Sequence, residues 1–114
     1  MTIFELLKQT NYPYYRYGSV PAETVRNFFT FNNIDTQALL PADNEINLKA
    51  EVYDIIFYTD EPEKIYSAIE DFCKSARADD WTIQRLPYDI QTDDKKLYGR
   101  LARISKIEYN TIKA

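Results

Sequence analysis

The feature that most constrains the fold is a long extended stretch, Ile46–Thr59, with apolar side chains on both alternations of a strand. Six of the seven residues in Val52–Tyr58 are aliphatic or aromatic. A strand with one solvent-exposed face alternates apolar and polar residues, so apolar residues on both faces indicate a strand that is covered on both sides. We therefore predict that Ile46–Thr59 is the central strand of a β-sheet.

A helix is predicted directly after this strand, over Pro62–Ala78. Thr59 or Asp60 is expected to cap its N-terminus, with Pro62 in the first turn. Apolar residues recur at three- and four-residue steps, the pattern of a helix with one buried face. The residues of this stripe are Ile65, Ile69, Phe72, Cys73 and Ala76.

Shorter elements account for the rest of the chain. Thr2–Gln9 begins with the spacing of a capping box and is predicted to be a short helix, and Ile34–Asn44 is predicted to be a loop. The other predicted strands are Tyr14–Tyr17, Val25–Asn33, Trp81–Leu86 and Leu97–Tyr109, and residues 110–114 are expected to form a loose tail. The sequence thus predicts one α+β domain, residues 1–114. Its antiparallel β-sheet is packed by one long and one short helix, in the order α-β-β-β-α-β-β.

The last two strands carry specific positional signals. Pro87 predicts that the strand Trp81–Leu86 either stops there or lies at a sheet edge, because proline cannot donate to a neighbouring strand. In the final strand, the apolar residues that share one alternation are Leu97, Leu101, Ile107 and Tyr109.

Chemically reactive residues are few. The chain has no histidine, which removes the commonest general base and most transition-metal sites. Cys73 lies on the apolar stripe of the long helix, where we expect a buried structural thiol. The adjacent acids Asp79-Asp80 and Asp93-Asp94 lack the contrasting environments of a catalytic carboxylate pair. We predict no enzymatic activity, no cofactor and no metal site; an enzyme that uses carboxylates alone is the alternative.

The net charge and the absence of long apolar runs limit the classes of partner that the protein is expected to bind. The formal net charge is −4, whereas a protein that grips duplex DNA carries a concentrated basic face. We therefore predict no specific nucleic-acid binding. No apolar run approaches the ~20 residues that span a bilayer, and the N-terminal residues do not resemble a secretory signal. The protein is expected to be soluble, made in a cytoplasm and without a membrane partner.

Aromatic residues are unusually frequent, with ten tyrosines and six phenylalanines. They form cross-strand pairs in sheets and also anchor protein interfaces, so both interpretations stay open. Leu39 and Leu40, in the predicted loop, are either an exposed association patch or part of the core. The residues predicted to form a protein–protein interface are Tyr14, Tyr15, Tyr17, Phe29, Phe31, Leu39 and Leu40.

Several segments occur in a recognisable order along the chain. They are the helical Thr2–Lys8, the turn Ala42–Asn44, the strand end Tyr53–Thr59, the helical Ala68–Phe72 and the strand start Lys96–Tyr98. In this order, nearly the whole chain resembles the small tail-completion, or tail-terminator, proteins of siphophages and myophages of Gram-positive hosts.

The resemblance implies a structural protein of a phage or prophage, located in the virion tail and assembled in the bacterial host cytoplasm. It implies a ring, commonly a hexamer, that completes the tail tube and joins it to the head connector. The implied partners are copies of itself, the tail-tube proteins and the head-connector proteins, with DNA passing through the ring. The alternative is a non-viral adaptor or regulatory domain of the same fold class, acting as a dimer.

Overall fold

The computed structural model describes residues 1–20, 26–38, 46–93 and 96–111. Within them, the chain forms α1 (Ile3–Gln9), β1 (Tyr14–Arg16), β2 (Asn27–Ala38), β3 (Ile46–Thr59), α2 (Lys64–Ala78), β4 (Thr82–Ile90) and β5 (Tyr98–Thr111). The α+β class and the predicted element order are confirmed.

The strands form one five-stranded sheet in the order β1-β2-β3-β5-β4. β3 is its central strand, as predicted, but the predicted cover on both of its sides is not formed, because both helices pack on the same face. Three of the pairings, β2 with β3, β3 with β5 and β4 with β5, are antiparallel. The short edge strand β1 instead runs parallel to β2, with Tyr14 opposite Phe29 and Arg16 opposite Phe31. The sheet is therefore mixed, with one parallel pair at its edge.

The sheet has two unlike faces, which follow from the alternation along β2. Phe29 and Phe31 lie on the same side as Ile55 and Phe57 of β3, and both helices pack there; we call this side the helix face. The helices and β5 add the buried residues Ile3, Leu6, Leu7, Ile65, Ile69, Phe72, Cys73, Ala76, Ala102 and Ile104. Burying a large apolar side chain contributes about 1.5–3 kcal/mol, so this core is the main source of stability. The opposite side is the open face.

The two helices begin differently. In α1 the predicted capping box is present: Thr2 Oγ1 accepts from the Glu5 amide at 3.2 Å, and Glu5 Oε1 accepts from the Thr2 amide at 3.3 Å. In α2 the predicted caps are wrong, because the helix begins at Lys64 after Glu63, which makes no side-chain cap. Thr59 Oγ1 accepts instead from the Glu61 amide at 3.1 Å, so it stabilises the turn before the helix.

Several strand boundaries differ from those predicted. β2 continues to Ala38, so the predicted loop is wrong for residues 34–38, which pair with β3; residues 39–45 lie outside the described residues. β5 continues to Thr111, which pairs with Ile46, so the predicted loose tail is wrong for residues 110 and 111. Residues 112–114 lie outside the described residues. Pairing with a long central strand extends both neighbours beyond their own apolar patterns.

The edge strand β4 passes through Pro87 instead of stopping before it. Its position at the sheet edge is confirmed, and the register with β5 shifts between Arg85 and Tyr88. The extra residue at this bulge lets the strand accommodate a proline that cannot donate to β5. In β5 the fully buried residues are Ala102 and Ile104, in the alternation opposite to the larger apolar residues noted in the sequence.

Past the ends of β1 and β4, three strands continue as a narrower sheet, which we call the three-stranded extension. It comprises residues 32–38 of β2, 46–52 of β3 and 106–111 of β5. β1 pairs with β2 only as far as Phe31, and β4 pairs with β5 only as far as Ser105. Within the described residues, the outer edges of β2 and β5 therefore have no strand partner in the extension.

Candidate protein-interaction site

The predicted interface residues do not lie together on one surface. Phe29 and Phe31 are 0% and 8% exposed and belong to the core of the helix face, so they are not available to a partner. Tyr14 is half-buried and packs on that core. Leu39 and Leu40 lie outside the described residues.

The other two tyrosines lie on the open side. Tyr15 is half-buried, with its ring 5.9 Å from that of Phe28 between centroids, which is the cross-strand pairing interpretation of the tyrosine cluster. Tyr17 is 58% exposed, while its backbone amide donates to the Phe31 carbonyl at 2.9 Å. Tyr17 is thus a side chain held on a fixed backbone and presented to solvent.

Tyr17 lines a cavity of about 300 Å³ on the open face, which we call the open-face pocket. Its floor is formed by Phe28 and Thr30 of β2 and Tyr58 of β3. One wall is the segment after β1, and the other is the connection between β4 and β5. The wall residues are Tyr17, Gly18, Val20, Thr92, Asp93 and Leu97. The volume is at the small end for ligand sites, so the pocket is suited to one large side chain.

The pocket floor is apolar except for two hydroxyl groups. Tyr58 stacks on Phe28 with ring centroids 4.9 Å apart, and burial raises the pKa of its phenol, an effect that the nearby Thr30 hydroxyl partly offsets. Thr30 is 2% exposed, and its Oγ1 makes no hydrogen bond of standard geometry within the described residues. A buried hydroxyl without a partner costs about 1–3 kcal/mol, so within the described residues Thr30 leaves an unsatisfied polar group in the floor.

The backbone of the first wall depends on a glycine. Gly18 has φ +84°, a conformation that side-chain-bearing residues rarely adopt, and the Ser19 amide donates to the Arg16 carbonyl at 2.9 Å across the turn. The turn directs the chain from β1 towards the open face, where Val20 reaches the pocket.

The rest of the open face is polar at its centre. Arg103 of β5 donates to both carboxylate oxygens of Asp54 on β3, at 2.8 and 3.2 Å. These hydrogen bonds raise the pKa of the Arg103 guanidinium. The ion pair separates the pocket from the three-stranded extension and limits how far an apolar surface continues between them.

A second apolar feature lies at the other edge of the sheet from the pocket, where β4 has its bulge between Arg85 and Tyr88. Leu86 is 67% exposed and Tyr88 is 38% exposed. The Arg85 guanidinium lies 5.6 Å from the centroid of the Tyr88 ring, with Nη1 3.4 Å from the Tyr88 hydroxyl. We call Arg85–Tyr88 the β4 knob.

The chemically reactive groups are not assembled into a reaction site in the described part of the chain. Cys73 is buried, and desolvation raises the pKa of its thiol to about 11. Hydrogen bonds from the Met1 ammonium and Lys106 lower the pKa of Asp79. A hydrogen bond from Lys64 lowers the pKa of Glu61. A general acid needs a raised pKa instead. No group of three metal-ligating side chains lies together there.

A cavity of about 620 Å³ lies between the start of α2 and the connection from β4 to β5. Of its described lining residues, Asp89 is the one acid, and it accepts from Arg100 at 2.8 Å. The carboxylate-only enzyme requires two acids in one cleft. The described lining of this cavity supplies one, whereas Glu5 and Glu51 both line another cavity, of about 500 Å³.

Sequence reasoning missed Thr30 and the β4 knob as parts of a candidate site. A signal existed for each: Thr30 interrupts a run of phenylalanines on the alternation opposite Phe29, and Pro87 marked an edge strand. The connection that brings Asp93 and Leu97 beside β2 could not be read from periodicity, because it depends on the strand order.

No protein-family model matches the chain, and no curated protein is significantly similar to it. In the described segments, neither helix has the length and apolar character that crossing a bilayer requires.

Proposed function

We propose that this protein is a non-enzymatic structural subunit that acts by assembling into a ring. We propose further that the ring completes the tail tube of a phage or prophage and joins it to the head connector. Its partners in that role are copies of itself and the neighbouring tail and connector proteins, in a virion tail assembled in the bacterial host cytoplasm.

The observation that carries the proposal is the pair of unlike edges in the three-stranded extension. β2 and β5 are each antiparallel to β3 and hence parallel to each other. If the β2 edge of one copy docks on the β5 edge of another, the sheet continues and each copy still offers one free edge. Such head-to-tail contacts close into a ring when the rotation between copies is a fraction of a full turn.

Two further features support the tail role in particular. The chain resembles tail-completion proteins in the order of its elements along nearly its whole length, and that order is the one the structure has. The net charge of −4 also suits a ring through which DNA passes, because an acidic lumen does not grip a polyanion.

The test is the state of association in solution and by microscopy. We expect sedimentation velocity from micromolar to near-millimolar protein to show a closed oligomer, and negative-stain electron microscopy to show rings. Ile107→Lys places a charge on the β5 edge of the extension and should weaken assembly, since lysines at edges oppose strand addition. Ala78→Lys, at the exposed end of α2 and on neither proposed edge, is the matched control.

The outcomes separate the candidates clearly. Rings that Ile107→Lys disrupts and Ala78→Lys spares support the proposal. A dimer that does not grow with concentration favours the adaptor domain. A monomer at every concentration, also in the presence of tail-tube protein, overturns the assembly role.

A further inference from the structure

We infer that the open-face pocket receives the β4 knob of a second copy, so that Tyr88 of one subunit contacts Thr30 of the next. This inference rests on the proposed ring assembly and identifies the side chains that join its subunits.

The pocket floor contains a polar group that is poorly satisfied. Thr30 Oγ1 borders the cavity, is buried and makes no hydrogen bond of standard geometry within the described residues, although its hydroxyl is close enough to the Tyr58 phenol to lower the pKa of that group. The occupant must therefore combine an apolar body with a group that hydrogen-bonds a hydroxyl. Tyrosine has both, because its ring buries a large apolar area and its phenol donates and accepts.

The knob and the pocket are chemically complementary. The knob offers Leu86, exposed as an apolar side chain, and Arg85, which forms no ion pair within the described residues. The pocket offers the apolar side chain of Val20 and, at its rim, the exposed carboxylate of Asp93. Apolar groups would meet apolar groups, and the cation would meet the anion.

The knob and the pocket are well separated in one molecule. β4 and β2 lie three strand spacings apart, about 14 Å at the usual separation of strands, so one molecule cannot fill its own pocket with its own knob. The knob lies on the β5–β4 side and the pocket on the β1–β2 side. A contact between the knob of one copy and the pocket of the next is therefore head-to-tail, as a ring requires.

Cysteine cross-linking tests the contact directly. Val20→Cys and Leu86→Cys proteins are mixed and treated with a short bismaleimide; Cys73 does not interfere, since it is buried with a raised thiol pKa. We expect a cross-linked heterodimer in this mixture. A mixture of Leu86→Cys with Tyr66→Cys, which places a thiol at a more exposed position than Val20, on α2, should give background only. Equal yields in the two mixtures overturn the inference.

Hydroxyl deletion tests the chemistry. Thr30→Val and Tyr88→Phe should each weaken association by about tenfold, since each leaves the partner hydroxyl buried without a hydrogen bond. The double variant should associate no more weakly than the single variant with the larger loss, because the two hydroxyl groups act as one pair. Additive losses, or no loss in either variant, overturn the inference. Assembly that persists with Tyr88→Ala overturns this contact and leaves the ring; a monomeric wild type overturns both.

Discussion

The two faces of the sheet each bury a threonine on a strand, and the two threonines differ in one respect. On the helix face, Thr59 Oγ1 donates to Asn27 Oδ1 at 2.6 Å and accepts from the Glu61 amide at 3.1 Å. On the open face, Thr30 Oγ1 makes no hydrogen bond of standard geometry in the described residues. The difference holds for the two threonines only, because Trp81 Nε1 and Arg100 Nε, on the helix face, also lack a partner in the described residues. What distinguishes Thr30 is that its hydroxyl borders the open-face pocket, so the proposed assembly would be able to reach it.

The largest predicted effect tests whether Phe29 belongs to the core or to an interface. Phe29→Ala should lower the free energy of unfolding by about 3–5 kcal/mol, because it leaves a cavity between β2, β3 and α2. Its ring contacts those of Phe57 and Phe72 at centroid distances of 4.8 and 5.6 Å. Urea denaturation followed by circular dichroism measures this change. A loss below about 1 kcal/mol would contradict the assignment of Phe29 to the core.

The next effect concerns the satisfied threonine. Thr59→Val keeps the shape of the side chain but removes both of its hydrogen bonds, leaving Asn27 Oδ1 and the Glu61 amide without a protein partner. The free energy of unfolding should fall by about 1–3 kcal/mol. The midpoint of urea denaturation reports the change if the dependence of the unfolding free energy on urea concentration is the same in both proteins. A stability equal to that of the wild type would show that these two hydrogen bonds make no net contribution to the free energy of unfolding.

Much of this fold follows from local patterns in the sequence. The apolar run around Ile55 identified the central strand, and the stripe from Ile65 to Ala76 identified the long helix. The ends of the strands did not follow, because pairing with β3 keeps polar residues such as Asp35 and Thr36 extended. Propensity describes single segments, whereas a ladder of backbone hydrogen bonds is a property of two.

The candidate site was less accessible to sequence reasoning than the fold. The sequence does not distinguish an aromatic residue of the core from one of an interface. Phe29 and Tyr17 are therefore both predicted interface residues, although Phe29 is buried and Tyr17 is exposed. The open-face pocket needs residues from β2, β3 and two connections that approach only in the folded chain. The sequence shows which residues are present, but it does not show that the floor residues come together in one pocket.

A smaller effect of opposite sign is predicted for the unsatisfied threonine. Thr30→Val should raise the free energy of unfolding of the monomer by about 1 kcal/mol, since a methyl replaces a buried hydroxyl that has no partner. The same change should weaken self-association. Stability is measured by urea denaturation at a concentration too low for assembly. Destabilisation of the monomer would mean that the Thr30 hydroxyl is satisfied within the chain, and the contrast between the two threonines would be lost.

The smallest predicted effect on folding is at Tyr17. Its side chain is 58% exposed, and the contact that fixes its position, from its amide to the Phe31 carbonyl, belongs to the backbone. Tyr17→Ala should therefore change the free energy of unfolding by less than about 0.5 kcal/mol, as is usual for surface substitutions. Because the ring forms a wall of the open-face pocket, self-association should nevertheless weaken measurably in sedimentation velocity. Unchanged association would remove Tyr17 from the interface, whereas a loss of folding comparable to that of Phe29→Ala would place it in the core.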